Sequence, residues 1–111
     1  MSGSSLLTHR HVEVFRAVMT AGSVTAAAQA LSTSQPTISR ELSRMESPLR
    51  LTLFDRVRGR LQPTVQAYAL FDEVQRSYAG LERVADTALR LRQFSEGQLS
   101  LACLPAFSHA L

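Results

Sequence analysis

The residues with the most chemistry to offer lie in one run, TSQPTISRELSRMES, from Thr33 to Ser47. A helix begun there, turning about 100° per residue, collects Pro36, Arg40, Ser43 and Ser47 on one side, flanked by Thr37, Ser39 and Arg44. That side has no large apolar residue and almost no acid, so it is not built to lie on a protein core. What it suits is recognition of a polyanion. A helix start offers unpaired N–H groups and a partial positive charge to a phosphate. Small residues there (Ser34, Pro36, Thr37, with Thr33 beside them) let the helix end enter a groove ~12 Å wide. Gln35 can bond adenine N6 and N7 together, or lie with Pro36 against a thymine methyl. Ser39 and Arg40, one turn further on, reach a phosphate or a guanine edge. An ordinary amphipathic surface helix with a proline in its first turn would share part of this pattern.

Other chemistries find little support. The chain has no Gly-rich phosphate loop, no nucleophile–base pair and no paired carboxylates in an apolar setting, which argues against an enzyme. His9 and His11 have no Cys or acidic partner at ligand spacing, so no metal is expected. Cys103 alternates with apolar residues and reads as a packed thiol rather than a partner for His109. A single cysteine fits a reducing cytoplasm, and the start, MSGSSLLTHRHVEVF, has no apolar signal core. No apolar run is long enough to span a membrane.

Charge points the same way as the Thr33–Ser47 run. All 12 basic residues are arginine. Residues 40–60 hold Arg40, Arg44, Arg50, Arg56, Arg58 and Arg60 against Glu41, Glu46 and Asp55, which accounts for the whole formal charge of +3. Guanidinium forks match phosphates and base edges, so a local arginine excess suggests an anionic partner, although a solvated face looks similar.

The elements that must position these residues are mostly helical, in a chain rich in Leu and Ala. Leu7, Val14, Phe15 and Val18 put one apolar side on a helix over 6–21, which AGS ends: Gly22 suits a helix C-terminus and Ser23 the next N-cap. VTAAAQAL over 24–31 gives a short second helix whose alanines allow close approach. The third helix begins near Ser34, capped by Thr33 or Ser34, with Ile38, Leu42, Met45 and Leu49 inward; Pro36 is harmless in its first turn. LTLFDRVRGRLQPT predicts a small hairpin turning near Gly59, with Arg56, Arg58 and Arg60 able to touch flanking backbone or an adjoining minor groove. Residues 64–94 form one long helix capped by Thr64. Ala67, Phe71, Val74, Tyr78, Leu81, Ala85 and Ala88 make a heptad-like seam for a partner strand, or for packing within the chain. Leu99, Leu101 and Cys103 then alternate as a strand with no partner in sequence, as though a second domain had been cut near its start.

Helix, tight turn, helix and basic hairpin make a winged helix-turn-helix. The connected set GSVTAAAQALSTSQPTISRELSRMES, LRLTLFDRVRGRLQPT and GQLSLACLP resembles the N-terminal region of LysR-type transcriptional regulators over residues 6–95 and into a following strand. The resemblance implies a winged helix-turn-helix DNA-binding domain at 6–63, a linker and dimerisation helix at 64–95, and the start of an α/β effector-binding domain at 96–111. It gives Gln35, Pro36, Ser39 and Arg40 the recognition role, and Arg56 and Thr64 contacts to the DNA backbone. It also implies a homodimer through the linker helix, a tetramer at full length, RNA polymerase as a further partner, and a small-molecule effector bound outside this region. Within the family, RVRGRLQPT and GQLSLACLPAFS look most like members that control lysine biosynthesis through the diaminopimelate decarboxylase gene. That likeness implies diaminopimelate or lysine as effector. Two departures stand out. Leu49-Arg50, after Pro48, replaces the usual Leu-Gly, which predicts an altered helix exit, and Ala67 replaces a common Gly near the linker start. The competing reading is a helical protein-interaction module whose basic surface is incidental.

Overall fold

The computed structural model describes residues 6–97. Three helices come first: α1 (His9–Ala21), α2 (Val24–Ala30) and α3 (Gln35–Leu49). Strands β1 (Phe54–Val57) and β2 (Arg60–Pro63) follow, and then α4 (Val65–Ser95). The strand expected over 99–103 lies outside the described residues. Packing divides the chain after Val74: the three helices, the hairpin and the first turns of α4 form one compact unit. The domain expected at 6–63 therefore shares its compact unit with the beginning of the linker helix.

Each short helix is bounded by a polar cap. Thr8 Oγ1 accepts the His11 N–H at 3.1 Å, so α1 starts at His9 rather than near Leu6. Gly22, in the left-handed region at φ 84°, returns its N–H to the Val18 carbonyl and ends it. Ser23 Oγ then accepts the Ala26 N–H at 3.0 Å and opens α2. Val14, Val18, Ala27, Ala28, Ile38 and Leu42 form the buried cluster of the three helices, with Phe54 and Leu61 packed against it from the hairpin. Ala27 and Ala28 are the buried face of α2, as its small side chains require for a close crossing. Phe15 links this cluster to the neighbouring elements. Its ring lies 5.9 Å from that of Phe54 and 6.4 Å from that of Phe71.

The helix exit keeps the left-handed form of a Leu-Gly ending, with Arg50 in the place of the glycine, so the altered exit expected from the sequence is not seen. Pro48 is tolerated inside α3, because it sits one residue from the end and the carbonyl it leaves unbonded is that of exposed Arg44. Arg50 then takes the left-handed conformation at φ 55°, with its N–H directed to the carbonyls of Glu46 and Ser47. Ala67 does not disturb the start of α4; it is fully buried.

The hairpin pairs Phe54 with Pro63, Asp55 with Gln62, Arg56 with Leu61 and Val57 with Arg60. Arg58 at φ 54° and Gly59 at φ 77° are both left-handed, as a two-residue type I′ turn requires. Pro63 fits as the last paired residue. Because facing residues share a side of the ribbon, Arg56 lies on the side of Phe54 and Leu61, toward the helices. Arg60 lies on the other side.

The seam of α4 splits between two uses. Ala67 and Val74 are buried and Phe71 packs edge-on to Phe15, so these three serve the chain's own core. Val74 is thus used within the chain and Phe71 at least on the side that meets Phe15: heptad spacing marks an apolar face without saying whose core it meets. Leu81, Ala85 and Ala88 are exposed, Leu81 at 60%, and Val84 at 65% joins them; Tyr78 is half-buried.

Candidate nucleic-acid interface

The exposed side of α3 is organised at its start by Ser34. Its Oγ accepts the Thr37 N–H at 3.3 Å and lies 2.9 Å from Thr37 Oγ1, which in turn accepts from Arg40 Nη2 at 3.3 Å. Ser34 and Thr37 thus spend their hydroxyls on the helix, and Arg40 is braced along the exposed surface. Pro36 at the second helical position has no N–H, and the Ile38 N–H reaches the Ser34 carbonyl. Gln35 is left as the first-turn residue whose N–H has no partner among the described residues. The expected cluster of free amides is therefore narrower than the sequence suggests, while the helix-end charge remains. Thr33 is half-buried in the turn, its N–H on the Ala28 carbonyl at 2.9 Å.

Gln35 and Ser39, four residues apart, face the hairpin across a cleft of about 520 Å³. The cleft is closed by Gly22–Thr25 on one side and by Arg56, Gly59, Arg60 and Leu61 on the other. A smaller recess of about 150 Å³ continues past Ser39 to Ser43, Glu46 and Arg56. Ser39 and Arg56 belong to both, so the recognition helix and the wing meet along a shared polar groove. Pro36 and Arg40 are exposed on α3, and Arg58 stands at the hairpin tip. Arg40, Arg56, Arg58 and Arg60 are all exposed and none is paired with a carboxylate among the described residues. Unpaired guanidinium groups around a groove are free to meet phosphates without first breaking an ion pair.

Thr64 is placed differently from the other candidates. Its Oγ1 donates to the Thr52 carbonyl at 2.7 Å and accepts the Ala67 N–H at 3.2 Å. Its one hydroxyl proton is used inside the domain, so its effect on any ligand runs through the position of α4. Glu46, in the sequence no more than one acid among the arginines, accepts the Leu53 N–H at 2.7 Å and the Phe54 N–H at 3.2 Å. Nothing in its spacing announced this, because the partners are backbone groups seven and eight residues on. His11 Nε2 lies 3.6 Å from Glu41 Oε1, joining α1 to α3. No group of three or more potential metal ligands occurs among the described residues, and no helix there is long and apolar enough to cross a membrane.

A helical pair with a tight turn, a third helix presenting its polar face, and a basic hairpin alongside define a winged helix-turn-helix DNA-binding domain. Residues 9–68 match the model of the bacterial regulatory helix-turn-helix proteins of the lysR family, and the chain belongs to that family, one of regulators rather than enzymes. It is 61% identical over 101 residues to the transcriptional activator protein LysR of Escherichia coli K12, across 91% of this chain and 32% of that protein. With the HTH-type transcriptional regulator DgcR of a Pseudoalteromonas species it shares 44% identity over 97 residues, 87% of this chain and 33% of that one. Its fold matches the crystal structure of the CbnR DNA-binding domain in complex with DNA. The TM-score is 0.68 and the identity 28%, over 78% of this chain and 99% of that one. The chain spans about a third of the length of these two curated relatives.

Proposed function

We propose that this chain is the operator-reading part of a regulator of lysine biosynthesis. It would seat α3 in the major groove and the hairpin on the flanking backbone or minor groove. Supporting it is the groove in which Gln35 and Ser39 face Arg56, ringed by unpaired arginines. In this reading Gln35 pairs with adenine, and Arg40 takes a guanine edge or a phosphate. Ser39 and Ser43 approach the backbone, and Arg56, Arg58 and Arg60 neutralise phosphates. The lysine assignment, with the diaminopimelate decarboxylase gene as target and diaminopimelate or lysine as effector, rests on the likeness to the E. coli activator. Pairing of two chains through the exposed Leu81, Val84, Ala85 and Ala88, a tetramer at full length, work beside RNA polymerase and a cytoplasmic location complete the proposal.

The test is a titration of the chain into duplex carrying a diaminopimelate decarboxylase promoter and into scrambled duplex, at two salt concentrations. Selective binding that weakens with salt supports the whole reading. Equal, salt-sensitive binding to both removes the lysine assignment and keeps the DNA interface.

A further inference from the structure

Four-residue strands joined by a two-residue turn cannot hold an orientation by themselves, yet a wing that reads DNA must stand at a fixed place beside the recognition helix. The base of this hairpin is anchored at one peptide. Glu46 Oε2, in the last turns of α3, accepts both the Leu53 and the Phe54 N–H. The Leu53 carbonyl accepts the Thr64 N–H at 2.9 Å and lies 3.2 Å from the donating Thr64 Oγ1. The same Oγ1 accepts from Ala67 in the first turn of α4. The Leu53 side chain is fully buried, so the peptide cannot swing without unpacking it. Recognition helix, wing and linker helix therefore share one node.

The charge of Glu46 is otherwise out of place. It borders the recess that holds Ser39, Ser43 and Arg56, inside the most basic stretch of the chain, where a carboxylate repels an approaching phosphate. No ion pair offsets it among the described residues. Its two hydrogen bonds are what it supplies there.

We infer that Glu46 is a positioning residue for DNA binding: it holds the start of the wing against α3, so that Arg56 meets the backbone in register with Gln35 and Ser39. This rests on the DNA reading above. Glu46→Gln keeps an oxygen acceptor for both amides and removes the charge, whereas Glu46→Ala removes the acceptor. Glu46→Asp keeps the charge but falls about 1.5 Å short, one carbon–carbon bond.

The experiment uses a duplex selected from a randomised pool by the unaltered chain. Kd is measured for that chain, Glu46→Gln, Glu46→Ala, Arg56→Ala and the Glu46→Ala/Arg56→Ala pair, at several salt concentrations, with thermal melts to confirm folding. The expected result is binding by Glu46→Gln within about threefold of the unaltered chain, and a loss of about tenfold for Glu46→Ala. The salt slope should fall by about 0.9 for that variant, one lost phosphate contact. In the Arg56→Ala background Glu46→Ala should cost less than about twofold more, because the contact it positions is already gone. Full additivity of the two losses, or a Glu46→Gln loss equal to that of Glu46→Ala, would overturn the inference. Should Glu46→Ala not fold, Glu46→Asp takes its place in the same cycle with the same two criteria. Failure of the unaltered chain to select any duplex would instead remove the DNA reading on which the inference stands.

Discussion

Replacing Arg58 with Asn should raise stability and lower DNA affinity at once. Arg58 is left-handed at φ 54° in the hairpin turn, followed by Gly59 at φ 77°. A side chain with a Cβ is strained there by about 1–2 kcal/mol, and Asn, whose short amide bonds locally, relieves part of it. Asn-Gly is the preferred pair for a type I′ turn. With Arg58 exposed and unpaired, no folded-state contact is lost, so the net gain should be ~0.5–1 kcal/mol. For a domain of this size that is a rise in Tm of about 2–8 °C. The guanidinium at the tip is then explained by what it meets outside the chain. Its removal should cost one phosphate contact, lowering the salt slope by about 0.9. The assay is a thermal melt paired with duplex binding at several salt concentrations. A fall in Tm would refute the turn assignment, and an unchanged slope would take the hairpin tip off the DNA.

Other perturbations have signs as definite. Arg50→Gly removes a left-handed arginine from the end of α3 and should stabilise by ~0.5–1 kcal/mol in a thermal melt. Phe15→Ala empties the fully buried site between Phe54 and Phe71 and should cost ~3–5 kcal/mol, read by urea unfolding. Leu81→Asp with Val84→Asp places two charges on the exposed face of α4. It should shift sedimentation from dimer to monomer while leaving the melting of the first unit unchanged.

The order of elements was legible because local signals agreed with the packing: Gly22 and Ser23 between α1 and α2, Ser34 before Pro36, and Arg58-Gly59 between strand-forming residues. The polar face of α3 was legible for the same reason, since helical periodicity separates Ile38, Leu42 and Met45 from Pro36, Arg40, Ser43 and Ser47, all exposed in the fold. What stayed hidden needed three dimensions. Phe71 and Val74 have the spacing of a dimer seam, but the chain folds its own Phe15 against that face. Thr64 matches a DNA-contact position, yet its proton is held by a carbonyl twelve residues earlier. Glu46 carries no signal at all, because its partners are main-chain amides brought back by the bend after α3.

The most direct test of the DNA reading removes the exposed chemistry of α3 and leaves the fold. The variant Ser39→Ala with Arg40→Ala, confirmed folded by its melt, is titrated beside the unaltered chain into the selected duplex and its scramble. The expected result is a loss of selectivity of about tenfold or more, with a weaker salt dependence. Undiminished, selective binding by the variant would contradict the account and take the recognition role off the exposed side of α3.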